Sequence, residues 1–298
     1  MIRRLTAAVV LCALVVSAAA AAAEDKFFDS NGVKIHYVIE GQGDPVVLIH
    51  GFTGSIPVQW GLPGILSKLS TDYQVTALDN RGHGRSGKPH DPKQYGVEMV
   101  ADVIRLLDHL QIKKAHIVGY SMGGFMTGKL LTAHPDRVLT ATLGGAGWSE
   151  ADDTRLDFLT DLAESLDAGK GIGPLIVHLT PADRPKPTEE QLSAINQMLM
   201  LTNDSKALAA CIRGMKGLAV TEAQLRANKV PTLCLIGDQD PLKIGVDAMQ
   251  KVMANLTVEI IEDTDHMTCF RAPAFIDDLQ AFLASHSKVK ATVGAGGQ

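Results

Sequence analysis

The chain has 298 residues, 46% of them hydrophobic, so it can bury one large core, or one core with a modest second lobe. Its 28 basic and 33 acidic residues are interspersed along the chain, without a block of Lys and Arg. Nucleic-acid-binding proteins concentrate positive charge on one face. Nucleic acid is therefore excluded as an expected partner.

Residues 1–23 predict a secretory signal peptide. Arg3 and Arg4 precede an apolar stretch, and a run of small residues ends at Ala23. This order of basic, apolar and small residues is typical of a signal that is cleaved. An uncleaved membrane anchor is the alternative, because residues 5–23 approach the ~20 apolar residues of a spanning helix. We expect an exported protein, periplasmic or secreted, with no stable membrane association once the signal is removed.

Three cysteines remain beyond this segment, Cys211, Cys234 and Cys269. An odd number leaves at least one thiol without a disulfide partner in the chain. Cys234 lies in an apolar run, which favours burial as a small hydrophobic side chain. The spacing of the three is not typical of a metal site, so no metal is predicted.

Short apolar segments predict the strands of a sheet. Alternating residues 33–39 follow an Asn31-Gly32 turn and indicate an antiparallel hairpin. Further apolar runs, each ending in glycine or an acid, are typical of strands buried on both faces. These runs are 46–49, 75–78, 115–118, 138–143, 232–236 and 258–261.

Segments of helical periodicity separate these strands. Val100, Val103 and Leu107 recur on one side of such a segment, and helices are also expected over the ranges 122–133, 241–254 and 273–286. Because strand and helix alternate, we predict an α/β fold with a mostly parallel, eight-stranded sheet that is covered by helices on both faces. Its core is assigned to residues 24–147 and 229–286, followed by a loose tail over residues 287–298.

The alternation stops over residues 148–228. This segment has helical stretches separated by proline-rich turns such as residues 180–187, and no strand pattern. It predicts a helical lid inserted into the sheet domain. Its apolar side chains either form an ordinary core or line a substrate pocket: Leu175, Ile176, Met198, Leu199, Met200 and Met215.

The sequence Gly119-Tyr120-Ser121-Met122-Gly123 is a Gly-x-Ser-x-Gly motif. The motif alone is weak, but here a predicted strand precedes it and a predicted helix follows it, which is the setting of a nucleophile elbow. Both glycines have a physical reason, because the sharp turn leaves no room for side chains between strand and helix. Ser121 is the predicted nucleophile.

A serine hydroxyl needs a general base, and the base needs a carboxylate that orients it. His266 follows the predicted strand 258–261 and is the only histidine between the predicted lid and the last helix. The acid is expected between the serine and the histidine in chain order. These considerations make His266 the predicted base.

Asp240 is the predicted acid, because it lies in the loop after strand 232–236. Asp240 followed by Pro241 is also typical of a helix start, with the aspartate as N-cap. One residue can serve both purposes. The alternatives for the acid are Asp238 and, more distantly, Asp152 or Glu150.

Acyl transfer also requires donors for the oxyanion. The chain turns sharply at Gly51 after the strand 46–49, which leaves the Phe52 N–H as one candidate. The Met122 N–H, at the start of a helix and next to the nucleophile, is the second. His50 is expected to brace this loop.

With these motifs the chain resembles the α/β-hydrolase superfamily, in the branch that has His-Gly-Phe and a helical lid. The resemblance covers nearly all of residues 26–286 and implies that His83, in a structural turn, has no catalytic role. The matching motifs are His50-Gly51-Phe52, Asp79-Asn80-Arg81-Gly82-His83-Gly84-Arg85-Ser86, Gly119-Tyr120-Ser121-Met122-Gly123-Gly124, His134-Pro135-Asp136-Arg137-Val138 and Gly237-Asp238-Gln239-Asp240.

Two positions depart from that family's pattern. The family usually has glycine before the catalytic histidine and often an acidic residue five positions after it. This chain has Asp265 and Arg271 there, whereas the expected proline is present as Pro273.

Together these residues predict a serine hydrolase that cleaves a small to medium carboxylic ester through an acyl-enzyme, with no metal or organic cofactor. A small-molecule substrate is the expected partner. The resemblance also allows a carbon–carbon bond hydrolase, a lactonase, a thioesterase or a cofactor-free perhydrolase of the haloperoxidase type. Serine at position 121 argues against the dehalogenases and epoxide hydrolases, which use aspartate there. A non-catalytic ligand-binding protein is the alternative from a different class.

Overall fold

A computed structural model describes residues 24–149 and 153–287. The predicted signal peptide, the tail beyond Ser287 and the alternative acids Glu150 and Asp152 lie outside the described residues. Within them, no helix has the length and apolar character needed to cross a membrane.

One sheet of eight strands forms the centre of the molecule, in the order β1-β2-β4-β3-β5-β6-β7-β8. The first two strands form an antiparallel hairpin and β2 is antiparallel to β4, whereas the remaining neighbours are parallel. The predicted mostly parallel sheet of eight strands is therefore confirmed. The strands are β1 Lys26–Ser30, β2 Val33–Glu40, β3 Asp44–Ile49, β4 Tyr73–Leu78, β5 Ala115–Tyr120, β6 Val138–Gly144, β7 Thr232–Gly237 and β8 Leu256–Ile261.

Ten α-helices accompany the sheet within the described residues. A π-helical turn over Ile56–Gly61 precedes the first of them. The helices are α1 Ile65–Leu69, α2 Val97–His109, α3 Met122–Ala133, α4 Phe158–Asp167, α5 Gly173–His178, α6 Glu189–Met200, α7 Ser205–Gly214, α8 Glu222–Ala227, α9 Lys243–Gln250 and α10 Pro273–His286.

Helices cover both faces of the sheet. Successive residues of a strand point to opposite faces, and accordingly Val47 and Ile49 pack in one apolar cluster while Val46 and Leu48 pack in another. Helices α2, α3 and α9 contribute to the first cluster, and α1 and α10 contribute to the second. The predicted double covering is confirmed.

The prediction that residues 258–261 are buried on both faces is wrong. Strand β8 pairs only with β7 and forms an edge of the sheet. Thr257, Glu259 and Ile260 are exposed there, whereas Ile261 is buried. An edge strand lacks a neighbour on one side, so the apolar run did not indicate complete burial.

Between β6 and β7 the described chain contains five α-helices, α4 to α8, two short 3-10 helices and no strand. We refer to residues 153–228 as the helical insertion. Helix α4 packs on α7, and Leu162, Leu166, Leu208 and Ile212 are buried in a third apolar cluster between them. Helix α6 has no buried residue and lies on the outside. The insertion thus has a small core of its own, and its movement as a lid stays a prediction.

The three cysteines Cys211, Cys234 and Cys269 are buried and free. The expected burial of Cys234 is confirmed. Burial also raises the pKa of the Cys269 thiol to about 12. These thiols are therefore protonated at neutral pH and are poor nucleophiles.

Candidate active site

Ser121 lies at the turn between β5 and α3. Its φ of 53° and ψ of −117° are rare for a residue with a side chain, and such conformations cost on the order of 1–3 kcal/mol. A Cβ on Gly119 would lie 2.0 Å from the Gly123 carbonyl oxygen, and a Cβ on Gly123 would lie 2.0 Å from the Ile49 carbonyl oxygen. The two motif glycines therefore allow β5, α3 and β3 to meet at the serine.

The close contact at Gly123 predicts that adding a methyl group there, as in Gly123→Ala, strongly lowers the stability of the fold. Because the Ile49 oxygen belongs to the backbone of a central strand, it cannot move aside, and Gly123→Ala should lower the free energy of unfolding by about 3 kcal/mol. Chemical denaturation followed by circular dichroism measures this change.

Gly128→Ala, in the same helix, is the matched control. Its added Cβ would lie 3.6 Å from Leu143 Cδ2, an ordinary contact, so we expect unchanged stability or a gain of about 0.5–1 kcal/mol from the better helix former. Equal stability of the two variants would contradict the steric account of the motif.

The three residues predicted to act together lie within hydrogen-bond distance. His266 Nε2 is 2.9 Å from Ser121 Oγ, and His266 Nδ1 is 2.8 Å from Asp240 Oδ2. The histidine and the aspartate are only 4% and 3% exposed, while the serine is half-buried. Tyr120 Oη donates to the His266 carbonyl oxygen over 2.7 Å. His266 is thus held through both nitrogens of its ring and through its main-chain carbonyl oxygen.

Asp240 uses its two carboxylate oxygens for different partners. Oδ2 faces His266, while Oδ1 accepts a hydrogen bond from the Leu242 N–H over 2.9 Å. The expected N-cap role is wrong, because α9 begins at Lys243 and its N-cap is Leu242. The residues directly after Asp240 form a turn, which the aspartate caps instead.

Asp238, the main alternative acid, has another partner. Its Oδ1 accepts from the Thr264 N–H over 3.0 Å. This bond joins the loop after β7 to the loop after β8. The structure therefore places Asp240, and not Asp238, against the histidine.

The loop after β3 lies against the nucleophile. A Cβ on Gly51 would lie 3.2 Å from Ser121 Cβ, so the next residue, Phe52, is close to the serine. Among the hydrogen bonds of the described residues, none has the Phe52 or Met122 N–H as donor. Both donors are thus available, and their role as an oxyanion hole stays a prediction.

His50 braces this loop through both ring nitrogens. Its Nδ1 lies 2.7 Å from the Gly51 carbonyl oxygen, and its Nε2 accepts from the Asn80 N–H over 3.0 Å. This arrangement suits a neutral ring that donates from Nδ1. Burial lowers the pKa of His50, in agreement with that form.

His83 packs beside the same loop, with its ring centroid 5.6 Å from that of Phe52. Burial lowers the pKa of His83 to about 3, so the ring is neutral. A base with so low a pKa accepts protons poorly at neutral pH. The absence of a catalytic role expected for His83 agrees with this environment.

Two residues of the helical insertion that the sequence did not single out lie near the site. The His178 ring stacks on Phe158, with centroids 3.8 Å apart and planes at 11°. Burial lowers the pKa of His178, charge on His266 lowers it further, and Asp240 raises it. Arg184 donates to Asp265 and Gln239, the neighbours of the predicted base and acid. No motif indicated either residue, because their positions depend on how the insertion packs.

Comparisons with known proteins agree with this architecture. A model of the alpha/beta hydrolase fold family matches residues 44–179. A protein of Mycobacterium phage D29, provisionally named a non-heme haloperoxidase, is 30% identical over 72% of this chain and 77% of its own. The 3-oxoadipate enol-lactonase 2 of Acinetobacter baylyi is 27% identical over 85% of this chain and 94% of its own.

Among solved structures, the enol-lactonase from Burkholderia xenovorans superposes with a TM-score of 0.71 at 22% identity. The superposition covers 87% of this chain and 99% of the lactonase. At this identity the likeness concerns the fold, whereas the 30% identity over most of the phage protein concerns the family. The chain therefore belongs to the α/β-hydrolase family of enzymes.

Proposed function

We propose that this protein is a serine hydrolase that cleaves carboxylic esters through an acyl-enzyme. One observation carries the proposal: His266 lies between the Ser121 hydroxyl, at 2.9 Å, and the Asp240 carboxylate, at 2.8 Å. A serine that is paired with an oriented histidine is the arrangement that activates a hydroxyl for acyl transfer.

In the proposed reaction, Ser121 Oγ attacks the ester carbonyl carbon and its proton moves to His266 Nε2. Asp240 holds the Nδ1–H and stabilises the imidazolium that forms. The Phe52 and Met122 N–H groups would donate to the oxyanion. His266 then gives its proton to the departing alkoxide, and the acyl group stays on Ser121. A water molecule, deprotonated by His266, attacks the acyl carbon of this acyl-enzyme. The bond to Ser121 Oγ breaks, His266 returns the proton to Oγ, and the acid is released.

Apolar side chains that pack with Phe52 support a substrate with an apolar acyl group. Phe52 packs against the third apolar cluster, together with side chains of the helical insertion. Of the six insertion residues that either line substrate or form core, Met198 is 64% exposed. The other five are partly buried against the same cluster as Phe52: Leu175, Ile176, Leu199, Met200 and Met215.

Lactones are the second candidate substrate, and the comparisons favour them. The relative from Acinetobacter, matched over 94% of its length, is named an enol-lactonase. A lactone is a cyclic ester, so the same attack by Ser121 opens the ring. The leaving alkoxide then remains tethered to the acyl group.

A panel of p-nitrophenyl esters of graded acyl length tests the proposal, beside a lactone, a dienoic acid and a peroxide assay. We expect ester turnover that is highest for short or medium acyl chains and absent in the Ser121→Ala variant. Turnover of only the dienoic acid or peroxide would replace ester hydrolysis with the corresponding alternative. Folded protein that a fluorophosphonate probe fails to label would instead favour the non-catalytic binding protein.

We also propose that the mature protein is exported and begins near Glu24. The basic, apolar and small-residue order of residues 1–23 supports this. N-terminal sequencing of protein recovered from the periplasm or the medium tests it. Recovery of the intact Met1 terminus in the membrane fraction would favour the anchor.

A further inference from the structure

Arg184 lies in the turn between α5 and α6 and reaches out of the helical insertion. Its Nη1 donates to Asp265 Oδ2 over 2.7 Å, and its Nη2 donates to Gln239 Oε1. Asp265 directly precedes His266, and Gln239 directly precedes Asp240. A single guanidinium therefore joins the loop of the proposed base to the loop of the proposed acid.

Asp265 divides its two oxygens between the loop and the insertion. Oδ1 accepts from the Met267 N–H and the Thr268 N–H, both over 3.0 Å, and from Thr268 Oγ1 over 2.8 Å. These bonds hold the turn that carries His266. Oδ2 is left for Arg184.

The Asp265 carboxylate is held in its charged form. Burial raises its pKa, but the hydrogen bonds from Thr268 and Met267 and the charge of Arg184 outweigh burial, so the pKa is lowered overall. This charge would be uncompensated beside the proposed base without Arg184. Among the described residues, the titratable side chains that act on His266 include Asp240, at 2.8 Å, and Tyr120, whose ring centroid lies 5.5 Å from that of the imidazole. His178 adds a third from the insertion.

The two loops are also joined to each other. The Gln239 N–H donates to the Thr264 carbonyl oxygen over 3.0 Å, and the Thr264 N–H donates to Asp238. These links fix the spacing of the loops but not their position relative to the insertion. Arg184 supplies that connection.

We propose that Arg184 is a positioning residue, which holds the loops of His266 and Asp240 in alignment with Ser121 and makes that alignment depend on the helical insertion. This inference rests on the proposed serine-hydrolase function.

The exposure of Arg184 allows a role in positioning the site to be distinguished from a role in stabilising the fold. The Arg184 side chain is 47% exposed, and ion pairs at such sites contribute little to the stability of the fold. A small displacement of a general base, in contrast, lowers the rate strongly, because the reaction requires aligned atoms. Loss of Arg184 should therefore lower activity without lowering stability.

The experiment compares Arg184→Met with the matched control Arg213→Met. Arg213 is 41% exposed and pairs with Asp167 wholly inside the insertion, away from the loops of the site. Two rates are measured: labelling of Ser121 by a small fluorophosphonate, and kcat for a short p-nitrophenyl ester. We expect both to fall on the order of tenfold in Arg184→Met, with KM nearly unchanged, and to stay at the wild-type value in Arg213→Met.

Four further variants show whether Arg184 acts through its partners. Asp265→Asn should cause a similar loss, and the double variant with Arg184→Met should lose no more than either single variant. Arg184→Lys keeps the charge but not the two-pronged donor, so only partial activity is expected. Added methylguanidinium should restore part of the labelling rate of Arg184→Ala, because the position is accessible to solvent.

Several outcomes would overturn the inference. Equal labelling of wild type and Arg184→Met would do so, as would a rise in KM alone, which would mark a substrate contact. Equal losses in Arg184→Met and Arg213→Met would indicate a general disturbance of the insertion. Failure of the wild type to label is distinguishable from these, because it overturns the proposed function itself.

Discussion

Replacing Ser121 with alanine should lower kcat for a p-nitrophenyl ester by about 10⁶-fold. The change removes the only atom of the serine that bonds to His266, over 2.9 Å, and with it the acyl-enzyme. Folding should be unaffected, because the side chain becomes smaller and the serine N–H keeps its bond to the Gly144 carbonyl oxygen. The measurement is kcat at saturating substrate, with circular dichroism as the check on folding.

Ser285→Ala provides the control for that experiment. Ser285 is exposed on α10 and its hydroxyl bonds only within the same helix, to Phe282 and His286. We expect wild-type kcat from this variant. Ester turnover that survives in Ser121→Ala at a comparable rate would end the assignment of Ser121 as nucleophile.

Replacing Asp240 with asparagine should lower kcat by about 10⁴-fold. The amide can occupy the same space, but it no longer carries the charge that holds the Nδ1–H and stabilises the imidazolium. The Leu242 N–H can still bond to the remaining oxygen, so the turn before α9 should persist. Steady-state kinetics and the rate of fluorophosphonate labelling both report the loss.

Asp238→Asn is the matched control, because Asp238 lies two residues before Asp240 in the same loop after β7. An asparagine there keeps an oxygen for the Thr264 N–H. We expect kcat to fall by less than about tenfold, since the variant changes no group that contacts His266. A larger loss in Asp238→Asn than in Asp240→Asn would exchange the roles of the two aspartates.

The sequence predicted most of the sheet, because the signal of a strand is local. The apolar runs 46–49 and 232–236 lie inside the observed β3 and β7. The prediction that residues 258–261 are buried on both faces was wrong, because they belong to the edge strand β8. Whether a strand lies at the centre or the edge depends on which strands pair, and the pattern of one segment does not contain that information.

The site residues that the sequence predicted have local signals, whereas those that it missed depend on tertiary packing. Ser121, Asp240 and His266 each follow a strand, and parallel strands bring such loops to one edge of the sheet. Their proximity could therefore be expected across 145 residues of chain. Arg184 and Asp265 are 81 residues apart and belong to no periodic pattern. Their contact depends on the packing of the helical insertion, which the sequence did not specify.

The edge position of β8 bears on which part of the molecule unfolds first on heating or in denaturant. His266 follows a strand that is paired on one side only and has three exposed residues among its six. Segments with few neighbours open at a lower free energy than the whole molecule does. His266, the proposed general base, thus follows a part of the sheet that we expect to open before the buried centre, to which Ser121 belongs. We therefore expect activity to be lost at a lower temperature or denaturant concentration than the one that unfolds the core.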